Sequence, residues 1–532
     1  MTLPDLQDCQ TNACTGDLLD GWARQNPGRL AVVDRRGALT YAQLREAVDR
    51  CAAAMLRDGV KLGDRVAVLA PQRFEVMVTF LAASRIGAIW LGLNPKYKLP
   101  ELSYLVDDAQ PTILITVDGL EGRDFSEEVA VLRGKLSDPG RVIWFENAQA
   151  GEVTFAAWTA GEADESLARR RDKVDAHCAS MLVYTSGSSG RPKGVLLRQR
   201  ELIFRSRVQN RMFPVTPCPR LLNPLPINHI GGMHYLSFYT FVGGGTLYLS
   251  ERFSTDEFIE AITSGKINAI NTLPTMFQMI AEHPDFTPAL LDRLDLVVYS
   301  GGVLPQPLVE MLIAAKCQVG VTYGMSETCG SVTYARKSEA SLDVLLNSIG
   351  RPTPEGDVRV ADSDGNICGP GETGDNQVRR DYCMCAYLGR PDATKQVFTE
   401  DGWLHTGDQA AVRDDGYLEF VGRLSEMFKS GGYNVYPREI ELALADHPDI
   451  DACAVVGVPD EMFGEVGWAW VERAPGRSPD ADTIKSWAKE RLANYKVPKR
   501  FVFVDRLPLL PIGKVDKMRL RHEAVGSREI VK

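Results

Sequence analysis

The chain has 532 residues and carries 60 basic and 70 acidic side chains, a formal net charge of −10. This acidic balance argues against a general nucleic-acid-binding protein, because a phosphate backbone needs a basic protein face. With 44% hydrophobic and 24% charged residues, the chain is not wholly disordered and can form several cores. We expect roughly two to four domains from this length.

The cysteines and the first residues indicate a cytoplasmic protein. The 11 cysteines are an odd number, and the only close pair, Cys383 and Cys385, does not have zinc-binding spacing. The first 20 residues are rich in aspartate and lack a basic segment followed by an apolar one. The most apolar stretch, residues 76–93, is interrupted by Arg85 and Gly87, which favours a buried helix and strand over a transmembrane segment.

The first part of the chain, up to about residue 340, alternates helix-like and strand-like patterns. Residues 40–43 resemble a capping box that opens a helix reaching residue 56. A second helix is predicted over 74–85. Short apolar runs predict strands at 65–69, 88–91 and 112–117. This alternation predicts parallel sheets covered by helices.

From about residue 348 the pattern changes. Asp-Gly pairs punctuate short runs such as 416–421, which predicts antiparallel β structure. A helix over 438–445, which begins after Pro437, and a strand over 451–458 follow. The predicted fold is therefore α/β. We expect a large N-terminal domain of helix-covered sheets over 1–423, including a small β subdomain at about 348–423, and a small α+β C-terminal domain over 424–532.

The strongest chemical signal is the segment 184–194, which reads Tyr-Thr-Ser-Gly-Ser-Ser-Gly-Arg-Pro-Lys-Gly after an apolar strand start. Its glycines permit a tight turn that brings backbone N–H groups close to an anion. Its hydroxyls and its lysine add donors and positive charge, as a polyphosphate requires, although the Walker A spacing is absent. The candidate nucleotide-binding residues here are Thr185, Ser186, Gly187, Ser188, Ser189, Gly190 and Lys193.

This loop resembles the signature of the AMP-forming acyl-CoA synthetases, the adenylate-forming superfamily that also contains firefly luciferases and peptide-synthetase adenylation domains. The resemblance covers nearly all of the chain. The second nucleotide motif of the family is similar to Tyr323-Gly324-Met325-Ser326-Glu327, with serine where threonine is usual. The resemblance implies that Tyr323 stacks near the adenine and that Glu327, with Thr185, holds Mg²⁺ on the phosphates. A carboxylate suits this hard cation.

Further motifs extend the resemblance. Residues 300–304, with Gly301, Gly302 and Val303, resemble the segment that lines the adenine and the acyl pocket. Residues 402–408 match a third motif, which implies that Asp408 accepts hydrogen bonds from both ribose hydroxyls. Arg423 is expected to reach the ribose and phosphate region.

The last motif, residues 507–517, presents Lys514 on a stiff loop with two prolines and a glycine. The resemblance implies that Lys514 is the catalytic lysine of adenylation, because an ammonium group can contact the substrate carboxylate and the α-phosphate while charge redistributes. We interpret the nearby Lys517 as a solubility residue.

The implied reaction has two steps. A carboxylate attacks the α-phosphorus of ATP and gives an acyl-adenylate and pyrophosphate; the thiol of coenzyme A then attacks the acyl carbon and releases AMP. In the family, the C-terminal domain supplies its lysine for the first step and then swings to form the pantetheine tunnel. The hinge position is Ser425 here. The loop with Lys429, Gly431 and Gly432 resembles the one that meets nucleotide and then coenzyme A, and Arg252 corresponds to a basic residue near the coenzyme A phosphate.

The acid substrate is the least specified partner. By resemblance, His229 lies near the acyl carboxylate and the coenzyme A entry, whereas His234 is expected to be a packing residue. Residues 238–245 are expected to form an acyl-pocket wall. Their glycines, Gly243 to Gly245, together with Gly301 and Gly302, suggest room for a bulky or cyclic acid.

We therefore predict an ATP-dependent carboxylic acid–CoA ligase that uses Mg²⁺ and acts on a fatty, aromatic or cyclic acid. The expected partners are the acid, ATP and coenzyme A; no nucleic acid is expected, and a homodimer is left open. One alternative is an adenylation enzyme that loads a separate carrier protein, and another is a luciferase-like oxygenase. An alternative of another class is a non-catalytic nucleotide-binding relative, which is disfavoured because Lys514, Glu327 and Asp408 are all present.

Overall fold

A computed structural model describes residues 12–149, 151–185, 191–353, 357–510 and 515–529. Its contacts group the chain into two units. The larger unit is Met1–Val358 with Val378–Leu404, and the smaller unit is Arg359–Gln377 with His405–Lys532. The predicted boundary near residue 423 stays a prediction.

The first sheet of the larger unit has eight strands, and its inner strands are parallel. Apolar runs such as Ile89–Leu93 are buried on both faces, as parallel strands between helices must be. In spatial order the strands are Ala386–Tyr387, Lys193–Arg198, Ala179–Thr185, Ile89–Leu93, Arg65–Leu69, Ile113–Thr116, Arg141–Trp144 and Val153–Thr154. The two strands at the Ala386–Tyr387 edge run antiparallel to their neighbours.

Two further sheets and a short hairpin complete the β structure described in this unit. One sheet joins three parallel strands, Ala269–Thr272, Leu296–Ser300 and Gln318–Met325, to the antiparallel Gly330–Arg336 and Arg351–Pro352. The other has the order Arg220–Asn223, Thr246–Leu249, Leu30–Asp34 and Gly37–Thr40. The hairpin pairs Gly119–Leu120 with Arg123–Asp124.

Helices cover these sheets. The Tyr41–Arg57 helix begins with the predicted capping box, since Thr40 accepts from the Gln43 backbone and Gln43 accepts from the Thr40 backbone. A π-helix spans Gly231–Phe238, and 3-10 turns span Pro288–Arg293 and Arg380–Tyr382. The other helices are Thr15–Gln25, Phe74–Arg85, Leu99–Ala109, Ser126–Arg133, Phe155–Trp158, Glu165–Arg171, Gln199–Met212, Tyr239–Val242, Thr255–Thr263, Pro274–Ala281, Gln306–Ala314, Leu342–Asn347 and Pro391–Gln396.

The smaller unit contains most of a four-stranded sheet and all of a five-stranded one. The four-stranded sheet has the order Val358–Ala361, Thr373–Arg379, Trp403–Val412 and Leu418–Arg423. The five-stranded sheet has the order Tyr433–Val435, Phe428–Ser430, Gly464–Arg473 and Ile450–Asp460, and Arg500–Val504 pairs in parallel with Gly464–Arg473. The helices of the unit are Pro437–Ala445, Ala481–Arg491 and Lys517–Glu529. Buried side chains form two cores around the five-stranded sheet.

The prediction of an α/β fold with helix-covered sheets and a smaller α+β part is confirmed. No helix among the described residues is long and apolar enough to cross a membrane.

Candidate active site

The predicted phosphate loop joins two antiparallel strands, Ala179–Thr185 and Lys193–Arg198, in which Thr185 pairs with Lys193. Residues 186–190, which include the predicted Ser186, Gly187, Ser188, Ser189 and Gly190, lie outside the described part of the chain. One helix, Leu99–Ala109, forms hydrogen bonds with the chain on both sides of this segment. The Tyr184 hydroxyl donates to Asp108 Oδ2 at 2.8 Å, and the Tyr104 hydroxyl donates to the Pro192 carbonyl at 2.8 Å.

Thr185, at the end of the first of these strands, contacts the second predicted motif at the carboxylate of Glu327. Thr185 Oγ1 donates to Glu327 Oε1 at 3.1 Å, and the Tyr387 hydroxyl donates to the same oxygen at 3.2 Å. Glu327 is only 7% exposed. Burial, together with the neighbouring carboxylate, raises the pKa of Tyr387, so its hydroxyl remains a donor at neutral pH. The Lys193 ammonium lies 5.2 Å from the centre of the Tyr387 ring.

Tyr387 was missed in the sequence because it belongs to no recognised motif. It lies on the two-residue strand Ala386–Tyr387, and Tyr387 pairs with Val195 at the sheet edge. This pairing brings its hydroxyl to Glu327, 60 residues earlier in the chain. The only sequence signal was a tyrosine in a short apolar run, which is also typical of an ordinary edge strand.

A tight turn presents Glu327 between the strands Gln318–Met325 and Gly330–Arg336. Thr328 Oγ1 closes the turn, because it accepts from the Met325 backbone at 2.9 Å and donates to the Gly330 carbonyl at 2.7 Å. A Cβ at Gly324 would come within 2.0 Å of the Gly330 carbonyl oxygen, so only glycine fits this predicted motif position.

A buried arginine supports this turn from behind. Arg205 Nε donates to the Thr328 carbonyl at 3.3 Å, and Arg205 Nη1 donates to Asp357 Oδ2 at 2.6 Å. Both charged side chains are buried, with 1% of the Arg205 side chain and 0% of the Asp357 side chain exposed. Such a pair fixes geometry when its remaining donors are satisfied, as they are here by the Thr328 and Tyr382 carbonyls.

The residue set around Glu327 fits Mg²⁺ bound through nucleotide phosphates. Mg²⁺ is usually held by one or two carboxylates together with substrate oxygens, and Glu327 and Thr185 supply oxygen atoms at one point. Within the described ranges, no group of three or more His, Cys, Asp or Glu could hold a metal ion by itself.

His229 precedes the π-helix Gly231–Phe238 and is half-buried. Its Nδ1 accepts from the Gly231 backbone N–H at 3.0 Å. A neutral ring in this arrangement carries its proton on Nε2, which is then a donor. A Cβ at Gly232 would come within 2.3 Å of the Pro226 carbonyl oxygen, so the turn that holds His229 requires glycine there.

His234 is the packing residue that we expected. Its Nε2 lies 2.8 Å from the Leu202 carbonyl and 3.1 Å from Ser206 Oγ, and the residue is 2% exposed. Burial lowers the pKa of His234 to about 4, despite the hydrogen bond to Leu202. The ring is therefore neutral at pH 7.

The two segments predicted to line the acyl pocket, residues 300–304 and 238–245, differ in how open their structure is. Gly301 has a φ of +78° and Val303 is 44% exposed, so the segment after Ser300 is an open turn. The prediction that Gly243 to Gly245 provide room for the acid is wrong. A Cβ at Gly243, Gly244 and Gly245 would meet Asn210 at 2.5 Å, Trp22 at 2.7 Å and Pro219 at 2.0 Å, respectively. These glycines permit close packing and a turn.

In the smaller unit, Asp408 and Arg423 are brought together. They are paired across the antiparallel strands Trp403–Val412 and Leu418–Arg423, and Arg423 Nε lies 3.2 Å from Asp408 Oδ1. The Asp408 backbone donates to Thr406 Oγ1 at 3.1 Å, which in turn donates to the Asn376 carbonyl at 2.6 Å. Asp408 is thus a buried, oriented carboxylate beside a positive charge.

Ser425 lies in an exposed turn directly after Arg423, where the Glu426 and Met427 backbones donate to the Arg423 carbonyl at 3.1 and 3.0 Å. Lys429 is exposed on the strand Phe428–Ser430. The next turn contains Gly431 and Gly432 at φ values of +58° and +87°. Both values favour glycine, as expected for a loop that another backbone or a pantetheine chain passes closely.

Lys514 lies outside the described residues, but the chain on either side of it is described. Leu509 and Val515 form an antiparallel bridge, and the Asp516 backbone donates to the Pro508 carbonyl at 2.8 Å. The interpretation of Lys517 as a solubility residue is wrong. Lys517 Nζ lies 2.6 Å from Glu426 and 2.9 Å from Glu441, and these carboxylates outweigh burial and raise its pKa.

Arg252 is exposed and lies three residues after the strand Thr246–Leu249. Its carbonyl accepts a hydrogen bond from Ser250 Oγ at 2.7 Å. Its predicted contact with coenzyme A stays a prediction.

Comparison with known proteins identifies the class to which this site belongs. Residues 19–388 match the family model of AMP-binding enzymes, and residues 439–514 match that of the AMP-binding enzyme C-terminal domain. The chain belongs to the AMP-binding enzyme family.

A feruloyl-CoA synthase from Amycolatopsis is 35% identical over 94% of this chain and 96% of the relative. An indoleacetate–CoA ligase from Aromatoleum aromaticum is 32% identical over the same two shares. The crystal structure of an ATP-bound RpMatB–BxBclM chimera matches with a TM-score of 0.86 and 27% identity over 96% of this chain and 99% of that one. These comparisons confirm the predicted family, fold and enzyme class, an AMP-forming acyl-CoA synthetase.

Proposed function

We propose that this enzyme joins a ring-bearing carboxylic acid to coenzyme A through an acyl-adenylate, with Mg²⁺ and ATP bound at Glu327 and the phosphate loop. The observation that carries the proposal is the convergence of Thr185 and Tyr387 on one oxygen of the Glu327 carboxylate. The two motifs that meet there are 142 residues apart in the chain. Thr185 belongs to the Gly- and Ser-rich motif 184–194, so the Glu327 carboxylate contacts a residue of the predicted nucleotide site.

In the first step, an oxygen of the acid forms a bond to the α-phosphorus, and the bond from that phosphorus to pyrophosphate breaks. Mg²⁺ would be held by Glu327 and Thr185 and would neutralise charge on the phosphates. Lys514 would contact the carboxylate and the α-phosphate as negative charge moves to pyrophosphate. Asp408 would accept from the ribose hydroxyls, which a buried carboxylate can do with two oxygens.

In the second step, the sulfur of coenzyme A forms a bond to the acyl carbon, and the bond from that carbon to AMP breaks. His229 would donate from Nε2 to the acyl group, because its Nδ1 already accepts from the Gly231 backbone. Lys429, Gly431 and Gly432 would contact nucleotide and then the pantetheine chain, and Arg252 the coenzyme A phosphate. Ser425 would be the hinge between domains 1–423 and 424–532.

The proposal that the acid contains a ring is supported by relatives rather than by a bound ligand. The two relatives compared above are named for feruloyl and indoleacetate groups, each of which contains a ring. A long-chain fatty acid is the competing class, because a long-chain-fatty-acid–CoA ligase from Mycobacterium tuberculosis is 30% identical to this chain. The cytoplasmic location stays a prediction, and the oligomeric state stays open.

The test is pyrophosphate release from the full chain with ATP and Mg²⁺ against aryl, alicyclic and fatty acids, each with and without coenzyme A. We expect release to depend on a ring-bearing acid, and an acyl-CoA product to form only when coenzyme A is present. Faster turnover of fatty acids would overturn the ring assignment. Adenylate that is never transferred to coenzyme A would favour a carrier protein as the acceptor.

A further inference from the structure

In the larger unit, the sheet that contains the parallel strands Ala269–Thr272, Leu296–Ser300 and Gln318–Met325 has one face that changes from apolar to polar along these strands. Near their beginnings, this face presents Leu296 and Val298, which belong to a buried core. Toward their carboxyl ends it presents Asn271, Ser300 and Thr322. Asn271 pairs with Val298 and Ser300 pairs with Thr322, so their side chains share that face. Ligands of open α/β sheets bind at the carboxyl ends of parallel strands.

Tyr235 of the π-helix Gly231–Phe238 packs over this polar end. Its hydroxyl lies 2.8 Å from Thr322 Oγ1. Burial raises the pKa of Tyr235, and hydrogen bonding with Thr322, Ser300, Ser331 and Asn271 offsets part of that effect. We call Tyr235, Asn271, Ser300 and Thr322 the strand-end cluster. Its members come from four separate elements and meet at one point.

The strand-end cluster is bordered by three segments that the nucleotide and acyl motifs identify. Ser300 directly precedes the open turn with Gly301, and Thr322 directly precedes Tyr323 of the second nucleotide motif. Tyr235 follows His229 by six residues, within one short helix and its entry turn. An acid whose carboxylate lies near these motifs would therefore lie beside the cluster.

Asn271 is the member whose hydrogen bonds are incomplete. It is 5% exposed, and its Nδ2 donates to the Tyr235 carbonyl at 3.4 Å. That carbonyl can only accept, so it fixes the amide with its nitrogen toward Tyr235 and its oxygen away. Within the described part of the chain, Asn271 Oδ1 has no hydrogen-bond partner. A buried amide oxygen without a donor is unusual in a folded protein and calls for an explanation.

We propose that Asn271 Oδ1, in the strand-end cluster, accepts a hydrogen bond from a hydroxyl on the ring of the acid. The inference rests on the proposed function. Without a donor on the substrate, the Asn271 oxygen would stay unpaired in the loaded enzyme, which disfavours acids with an unsubstituted ring. The predicted substrates are therefore hydroxylated aryl acids.

The test compares acids of one shape. The probes are cinnamic acid, its 2-, 3- and 4-hydroxy derivatives, and the methoxy derivative at the preferred position, which keeps the oxygen but lacks the donor. We expect kcat/KM for pyrophosphate release to be at least about tenfold higher for one hydroxy acid than for cinnamic acid or the methoxy acid. Equal use of all five acids would overturn the inference and leave the proposed function standing. Turnover of fatty acids alone would overturn both.

A variant then assigns the preference to the amide oxygen. Asn271→Leu removes the acceptor at similar volume and should lower the ratio of kcat/KM for the hydroxy acid to that for cinnamic acid to about one. Asn347→Leu changes an exposed asparagine at the end of the helix Leu342–Asn347 and should leave the preference intact. Asn271→Asp keeps an acceptor and should retain the preference, which covers the case in which Asn271→Leu does not fold. A preference that survives Asn271→Leu would contradict the assignment.

Discussion

The two units present their candidate functional groups in different ways. In the larger unit, Glu327 is 7% exposed, and its carboxylate accepts hydrogen bonds from the hydroxyls of Thr185 and Tyr387. In the smaller unit, the Arg423 side chain is 48% exposed, Lys429 is exposed on a short strand, and Ser425, Gly431 and Gly432 lie in exposed turns. A buried group held by hydrogen bonds keeps one geometry, whereas an exposed group can serve different contacts in successive steps.

This difference predicts where substitutions will be most harmful. Groups fixed by hydrogen bonds in the larger unit should affect the chemical step, because their geometry is set before substrate binds. Groups in the smaller unit should separate the two half-reactions. The following predictions can confirm or contradict that division.

The largest expected effect is that of Glu327→Gln. The substitution keeps the size of the side chain but removes the charge for Mg²⁺, and kcat/KM for adenylation should fall by about 10²–10³. The Mg²⁺ concentration for half-maximal rate should rise. Pyrophosphate release across a Mg²⁺ titration measures both kcat/KM and this Mg²⁺ concentration. Glu310→Gln, at an exposed position, is the control, and an unchanged Mg²⁺ dependence of Glu327→Gln would remove Glu327 from the metal site.

His234 should make the larger unit less stable at mildly acidic pH. Its pKa is lowered from an ordinary value of 6.5 to about 4, so the unfolded chain binds the proton first as the pH falls. The stabilisation from the neutral ring is complete above pH 6.5 and is lost progressively toward pH 4, by up to about 3 kcal/mol. Denaturant unfolding at pH 7.5 and 5 measures it. His234→Gln should reduce the pH dependence, and His177→Gln, at an exposed histidine, should not.

Lys517→Gln should destabilise the smaller unit without changing the chemistry of the larger one. It leaves Glu426 and Glu441 without their shared ammonium partner, which should lower the free energy of unfolding by about 1–3 kcal/mol. Thermal unfolding and limited proteolysis measure the loss. Lys489→Gln, on an exposed helix face, is the matched control. A melting temperature equal to that of Lys489→Gln would contradict a structural role for Lys517.

The smallest expected effect on catalysis is that of Tyr387→Phe. The variant keeps the ring beside Lys193 and removes one of two donors to Glu327, so kcat for adenylation should fall by about tenfold. The melting temperature should change little, which distinguishes positioning from general destabilisation. Tyr248→Phe serves as the control. A rate equal to that of the control would mean that the Tyr387 hydroxyl does not orient Glu327.

The sequence predicted those parts of the site in which a short motif is itself the chemical unit. Thr185 and Glu327 were identified because the segments that contain them resemble two nucleotide motifs of the family. Tyr387 and Asn271 were not, because an edge pairing and a shared sheet face bring them into place. Such contacts join residues far apart in the chain and leave no local pattern.

The errors have a physical cause as well. A glycine can provide room for a ligand or for a neighbouring backbone, and the Gly243 to Gly245 run does the latter because Trp22 and Pro219 pack against it. Lys517 seemed to be a surface lysine because its partners are distant in sequence: Glu441 precedes it on another helix. In both cases the residue type was right for either role, and only tertiary contacts decide.

The most direct test of the account separates the two half-reactions in Lys514→Ala. Pyrophosphate release from ATP and acid measures the first step, and AMP release from supplied acyl-adenylate with coenzyme A measures the second. We predict that the first rate falls by at least about 10² while the second stays within a fewfold of wild type and of Lys489→Ala. Adenylation that survives in Lys514→Ala, or equal loss of both steps in a folded protein, would contradict it.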